Sequence, residues 1–175
     1  MIFCSGLNAQ LKLPVLLVAL FFTVGTVQAK NLFDPNSGNR LNVPDDWTVA
    51  NPTASGAYAA QATKGDRTKS ILLYVAPVST TASIDDNSPL VQGFEHGFLT
   101  SGGKIVTRGH RKLHDITFYV LTCSQDSGKN VIQSTAWVTV VNGHMYQLCL
   151  YDLNADPDKD TELTAALNSL LLSAK

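Results

Sequence analysis

With 175 residues, 45% of them hydrophobic and only 15% charged, the chain holds enough apolar material to build a core. A formal charge of −1 argues against a general nucleic-acid binder and against a protein held on a membrane by electrostatics. Gly-x-Ser-x-Gly, Walker-type, Cys-x-x-Cys and His-Glu-x-x-His motifs are missing, which removes the enzyme classes that announce themselves locally.

The chain begins with a segment that does not read as part of the fold. Lys12 precedes "LPVLLVALFFTVG", an uncharged apolar run, and "TVQA" follows before Lys30. A weakly basic start, an apolar stretch and small residues at Val27 and Ala29 predict a secretory signal peptide over residues 1–29, cleaved after Ala29. The rival is an uncleaved anchor, but residues 13–29 would span only roughly 25 Å as a helix, interrupted by Pro14, Gly25 and Gln28. Cys4 lies ahead of the apolar run, where a lipobox cysteine would not sit. Residues 30–175 then form one domain, expected to be secreted or periplasmic, with a formal charge of −2 once Lys12 is discounted.

In the mature chain, Leu41 and Val43 open a strand, and Pro44, Asp45 and Asp46 have the chemistry of a tight turn. Trp47 and Val49 then alternate with polar residues, so the turn aims the indole at the core. "AYAAQATKG" and "SILLYVAPV" predict two strands joined by a polar hairpin loop. Ser88, Pro89 and the i, i+4, i+8 series Leu90, Phe94, Phe98 predict a helix that stops at Gly102-Gly103. Gly97 falls on its apolar stripe, where close approach to a sheet would compensate the cost of glycine.

Strand-like runs follow at 104–112, 116–125, 131–141 and 144–152, the last two joined by Asn142-Gly143, a strong hairpin signal. Phe118, Trp137, Leu148 and Leu150 fall on one face of this meander; Leu121, Val138, Met145 and Cys149 fall on the other. A sheet apolar on both faces needs cover on both, and the closing stripe Leu163, Leu167, Leu170, Leu171 supplies a second helix. The expected fold is α/β (α+β): an antiparallel sheet between helices, with Trp47 and Trp137 in its core.

These residues resemble a family. "RLNVPDDW" is similar to the Pro-x-x-Trp entry strand of the PsbP-like superfamily, "KLHDITFYVLTC" to its inner strand, "VVNGHMYQLCL" to its hairpin and "DTELTAALNSLLL" to its closing helix. The superfamily spans the extrinsic photosystem II protein PsbP, a Ran-binding import factor and bacterial DcrB-type envelope proteins. The resemblance covers most of residues 38–173 and implies an α/β/α sandwich that binds or assembles, with no catalytic residues to carry over. The chain departs from the pattern at His114-Asp115, where the family often has glycine.

Few residues suggest chemistry. His110 and His114 are four apart, but on a strand and turn that spacing does not gather metal ligands, and no metal or cofactor is assigned. Asp156, Asp158 and Asp160 begin like a calcium loop, but Thr161 stands where its glycine belongs and Leu167 where its glutamate belongs. Cys123 and Cys149 are expected to be free thiols: tight turns would set Cys123 opposite Ile132 and Cys149 opposite Ala136, on the outer strands of a three-strand ladder. A bridge is the alternative if the loops reorder the strands. The remaining candidate is Lys104, Arg108, His110 and Lys112, whose shared parity would place them on one strand face. That face is either a solvated sheet margin or a surface for an unknown protein or an anionic envelope component; for the chain as a whole the alternatives are an envelope hydrolase assembled only in the fold, and a small-ligand carrier.

Overall fold

The computed structural model describes residues 31–33, 38–50, 58–127 and 130–172, so the signal peptide and its cleavage site lie outside the described residues. Among the described residues, seven strands form one antiparallel sheet: β3 (Trp47–Ala50), β4 (Tyr58–Lys64), β5 (Lys69–Pro77), β6 (Lys104–Leu113), β7 (Ile116–Ser127), β8 (Asn130–Val141) and β9 (His144–Asp152). Their order across the sheet is β3-β4-β5-β9-β8-β7-β6. A short pair, β1 (Asn31–Phe33) with β2 (Arg40–Asn42), forms a separate two-stranded sheet.

Local turn chemistry sets the registers. Asn142 and Gly143 both adopt positive φ, 51° and 75°, which fits the twist of the flanking strands and pairs Val141 with His144. His114 and Asp115 make the equivalent turn at 47° and 59°, a conformation that costs side chains other than glycine, and pair Leu113 with Ile116. At the entry strand, the Trp47 amide donates to the Pro44 carbonyl at 3.1 Å, and the turned chain buries the indole. Both apolar sets fall as the alternation requires, Phe118, Trp137, Leu148 and Leu150 on one face and Leu121, Val138, Met145 and Cys149 on the other.

Helix α1 (Pro89–Thr100) covers the second face with Val91, Phe94 and Phe98. Its cap follows the sequence: the Ser88 hydroxyl accepts from the Val91 amide at 3.2 Å, and Pro89 occupies the first turn, where its missing N–H costs nothing. The expected close approach at Gly97 is not found. A Cβ built at Gly97, or at Gly93, would meet nothing within 4 Å, so the missing side chains are not compensated by tight packing. Gly93→Ala and Gly97→Ala should therefore each stabilise the protein by about 0.5–1 kcal/mol, read as higher urea midpoints at unchanged slope. A loss of stability in either variant would show that the helix sits closer to the sheet.

The first face is covered by β1, β2 and helix α2 (Thr161–Asn168), which brings Leu163, Ala166 and Leu167 into a cluster with Trp47, Phe118 and Trp137. The four-leucine stripe is only partly helical. The helix ends at Asn168; Leu170 stays buried, whereas Leu171 pairs its backbone with Arg40 and leaves its side chain 54% exposed. The Asp160 carboxylate caps α2 through the Leu163 amide at 2.9 Å and also accepts from the Lys69 ammonium. Glu162 accepts from Lys69 at 2.6 Å and from Lys64 at 3.0 Å.

Burial disfavours the charge on Asp160, but its bonds to Lys69 and Leu163 outweigh that and hold the carboxyl below its ordinary value of 3.8. The Lys69 and Lys64 ammonium groups hold Glu162 below 4.5. For Lys69 burial opposes protonation, yet the two carboxylates raise it overall. Since the carboxyl values are lowered on folding, their stabilisation is complete above the unfolded values and is lost as pH falls through the folded ones. Lys69→Met should lower stability at pH 7 by about 1–2 kcal/mol and flatten the fall in urea midpoint between about pH 5 and 3. An unchanged acid profile would separate this cluster from acid unfolding.

Candidate binding site

Strand β6 is an edge of the sheet, and seven of its ten residues are exposed. It carries Lys104, Arg108, His110, Arg111 and Lys112 and no acidic residue. The expectation that Lys104, Arg108, His110 and Lys112 share a face fails at one point. The register slips between Ile105 and Thr107, where two β6 steps oppose a single step of β7, from Cys123 to Thr122. This bulge reverses the alternation. Arg108, His110 and Lys112 lie opposite Leu121, Tyr119 and Thr117 on the α1 side, whereas Lys104 lies opposite Ser124 on the α2 side. Arg111, missed in the sequence, shares that side with Lys104 by its pairing with Phe118.

Most of these cations are anchored. Arg108 Nη1 donates to both oxygens of Glu95 at 3.0 and 3.2 Å, and the buried Tyr119 hydroxyl donates to the same carboxylate. Burial, followed by the negative charge of Glu95, raises Tyr119 above the ordinary phenol range, so it remains a donor. His110 packs edge-on against Tyr119 with ring centroids 5.5 Å apart; its Nε2 lies 2.8 Å from the Ile84 carbonyl and its Nδ1 3.7 Å from Asp86. Arg111 Nη1 donates to Asp158 at 2.6 Å, and its guanidinium lies 5.6 Å from the Trp137 ring centre. Lys104 lies 3.4 Å from Asp126, both exposed. Lys112 has no such partner among the described residues. Glu95 and Asp158 sit inward, at 17% and 20% exposure, while their arginines remain 64% and 44% exposed. The edge thus presents guanidinium groups fixed from behind, with N–H groups still facing solvent.

The other candidates separate into structural tasks. His114 occupies the β6–β7 turn with Nε2 2.8 Å from the Asn168 carbonyl, away from the His110 contacts. His144 Nδ1 lies 3.2 Å from the Asn142 carbonyl, and His96 is exposed on α1. Asp156 caps the 3-10 turn Pro157–Lys159, Asp158 holds Arg111, and Asp160 caps α2. Among the described residues, no group of three or more His, Cys, Asp or Glu side chains is placed to hold a metal ion.

Cys123 and Cys149 are buried and unbridged. One detail of the sequence register is corrected. The β7–β8 connection begins later than Asp126, with Ser127 opposite Asn130, so Cys123 faces Ser134 rather than Ile132. Cys149 faces Ala136. With strand β8 between them, the Cα atoms are separated by two spacings of about 4.8 Å and by register, beyond the reach of a disulfide. Burial pushes the Cys123 thiol up to about 12 and the Cys149 thiol to about 11, leaving little thiolate at pH 8. Iodoacetamide should leave both unlabelled in the native protein and label both in unreduced protein unfolded by guanidinium. Failure to label either after unfolding would overturn the strand order.

No family model matches the chain, and no curated protein matches it. Similarity appears among solved structures. The solution structure of cyanobacterial PsbP (CyanoP) from Synechocystis aligns with a TM-score of 0.63 at 15% identity, over 89% of this chain and 98% of that one. A crystal structure from Bacteroides thetaiotaomicron aligns at a TM-score of 0.56 and 14% identity, over 83% of this chain but 49% of the other. The chain has a PsbP-like fold. At these identities the likeness carries the architecture alone.

Proposed function

We propose that the chain is exported, cleaved after Ala29, and acts in the cell envelope or the secreted space as a non-catalytic binding or assembly module. The observation that carries this reading is β6: an exposed edge strand without acidic residues, whose cations are spread to both sides by a bulge. Partner recognition falls where the core ends. Export is supported by the apolar run, the small residues at 27 and 29, and the absence of charge between Lys12 and Lys30. Single exposed ion pairs contribute about 1 kcal/mol or less, so capture by this edge should need several contacts and should weaken with salt.

The test starts from the exported protein, whose intact mass should correspond to a chain beginning at Lys30. Mature protein is then used to capture partners from envelope extract, alongside Lys104→Glu/Lys112→Glu. These two sites leave the Arg108–Glu95–Tyr119 contacts untouched, so the variant should keep its urea midpoint while losing specific capture. A folded variant with undiminished capture would place the site elsewhere. Material retaining Met1 in the membrane fraction would overturn export with cleavage.

A further inference from the structure

We infer that β6 binds its partner by strand addition, taking an extended acidic segment along Thr107–Leu113. This rests on the reading of β6 as the binding edge and specifies the partner's chemistry. An edge strand turns alternate N–H and C=O groups away from its neighbour, so β6 offers a backbone ladder as well as side chains. The bulge at Ile105–Thr107 interrupts that ladder, which leaves the stretch up to the His114-Asp115 turn as its longest regular part.

Within that stretch the side chains specify a pattern. Arg108, His110 and Lys112 point to the α1 side at alternate positions. Arg108 is fixed from behind by Glu95 and remains 64% exposed, and Lys112 is exposed without a partner among the described residues. His110, between them, has both ring nitrogens engaged, Nε2 2.8 Å from the Ile84 carbonyl and Nδ1 3.7 Å from Asp86, whereas Arg108 meets Glu95 through Nη1 alone and keeps its other N–H donors for a partner. The complementary strand therefore places acidic residues four apart, opposite Arg108 and Lys112, with an uncharged residue midway. A second copy of β6 is a poor occupant because its own side chains are cationic along the same stretch. Bulges and lysines protect edges from indiscriminate pairing, and here the same features select for an acidic strand.

The probe is a seven-residue, end-blocked peptide with Glu at positions 2 and 6, Thr at position 4 and Val or Thr elsewhere, titrated into mature protein. Binding is followed by calorimetry and by amide exchange along β6. A peptide with alternate amides N-methylated on its pairing edge keeps the charge and loses the ladder; it should bind at least about tenfold more weakly. Lys in place of both Glu residues, or Lys112→Glu in the protein, should weaken binding to a similar degree. The expected signature is slowed exchange confined to 107–113 with the Glu peptide alone.

Equal binding of the methylated and parent peptides would overturn strand addition while leaving an electrostatic edge intact. No peptide binding, or binding only to vesicles of anionic phospholipid, would also overturn it. The extract capture by Lys104→Glu/Lys112→Glu decides separately whether β6 is a binding edge at all.

Discussion

Burial on both faces of β7, β8 and β9 is the constraint from which the rest of the structure follows. Phe118, Leu121, Leu148 and Cys149 are all nearly inaccessible, although the first and third point one way and the second and fourth the other. A one-residue slip would exchange the two apolar sets and misfit them against α1 and α2. The two-residue turns at His114-Asp115 and Asn142-Gly143 hold that register, with backbone strain concentrated in residues that solvent can reach. Cover must then come from outside the sheet, which explains a helix on each side.

Burial ends at the margins, and polar contacts take over there. On the α2 side, Lys69 joins Asp160 and Glu162, so one cation links the helix cap to β5. On the α1 side, Glu95 gathers Arg108 and Tyr119, tying helix, edge strand and inner strand through one carboxylate. These clusters join layers where apolar packing thins. They differ in access: the Lys69 ammonium is largely enclosed, whereas the Arg108 guanidinium stays open to solvent.

Alternation, caps and turns were legible because their physics is local. Ser88 and Pro89 favour a helix start through contacts within one turn, and Asn142-Gly143 supplies left-handed backbone without long-range help. Leu148 against Cys149 could be assigned to opposite faces from parity alone. The bulge at 105–107 was not legible, since Lys-Ile-Val-Thr reads as a regular strand and the slip depends on how β7 pairs with it. That displaced Lys104 from the face of Arg108, His110 and Lys112. Glu95, and Asp158 as the partner of Arg111, were missed for a related reason: each sits on a separate helical segment, 13 and 47 residues from its arginine. Tyr119 held the available hint, because a buried phenol needs an acceptor nearby. The register after Asp126 was two positions out because the polar connection there offers several turn geometries.

The strand order also divides the sheet kinetically. β3, β4 and β5 are joined by neighbours in sequence, and so are β6 through β9; among the described residues the β5–β9 ladder, from Lys69–Asp152 to Pro77–His144, joins the two groups. Closing it brings together segments roughly 70 residues apart, at a loop-entropy cost of about 4 kcal/mol before the nine pairs repay it. Each local meander can form without that closure, whereas both helical layers rest on residues from both sides of it. By contact order, the β5–β9 ladder is therefore the seam expected to close last in folding.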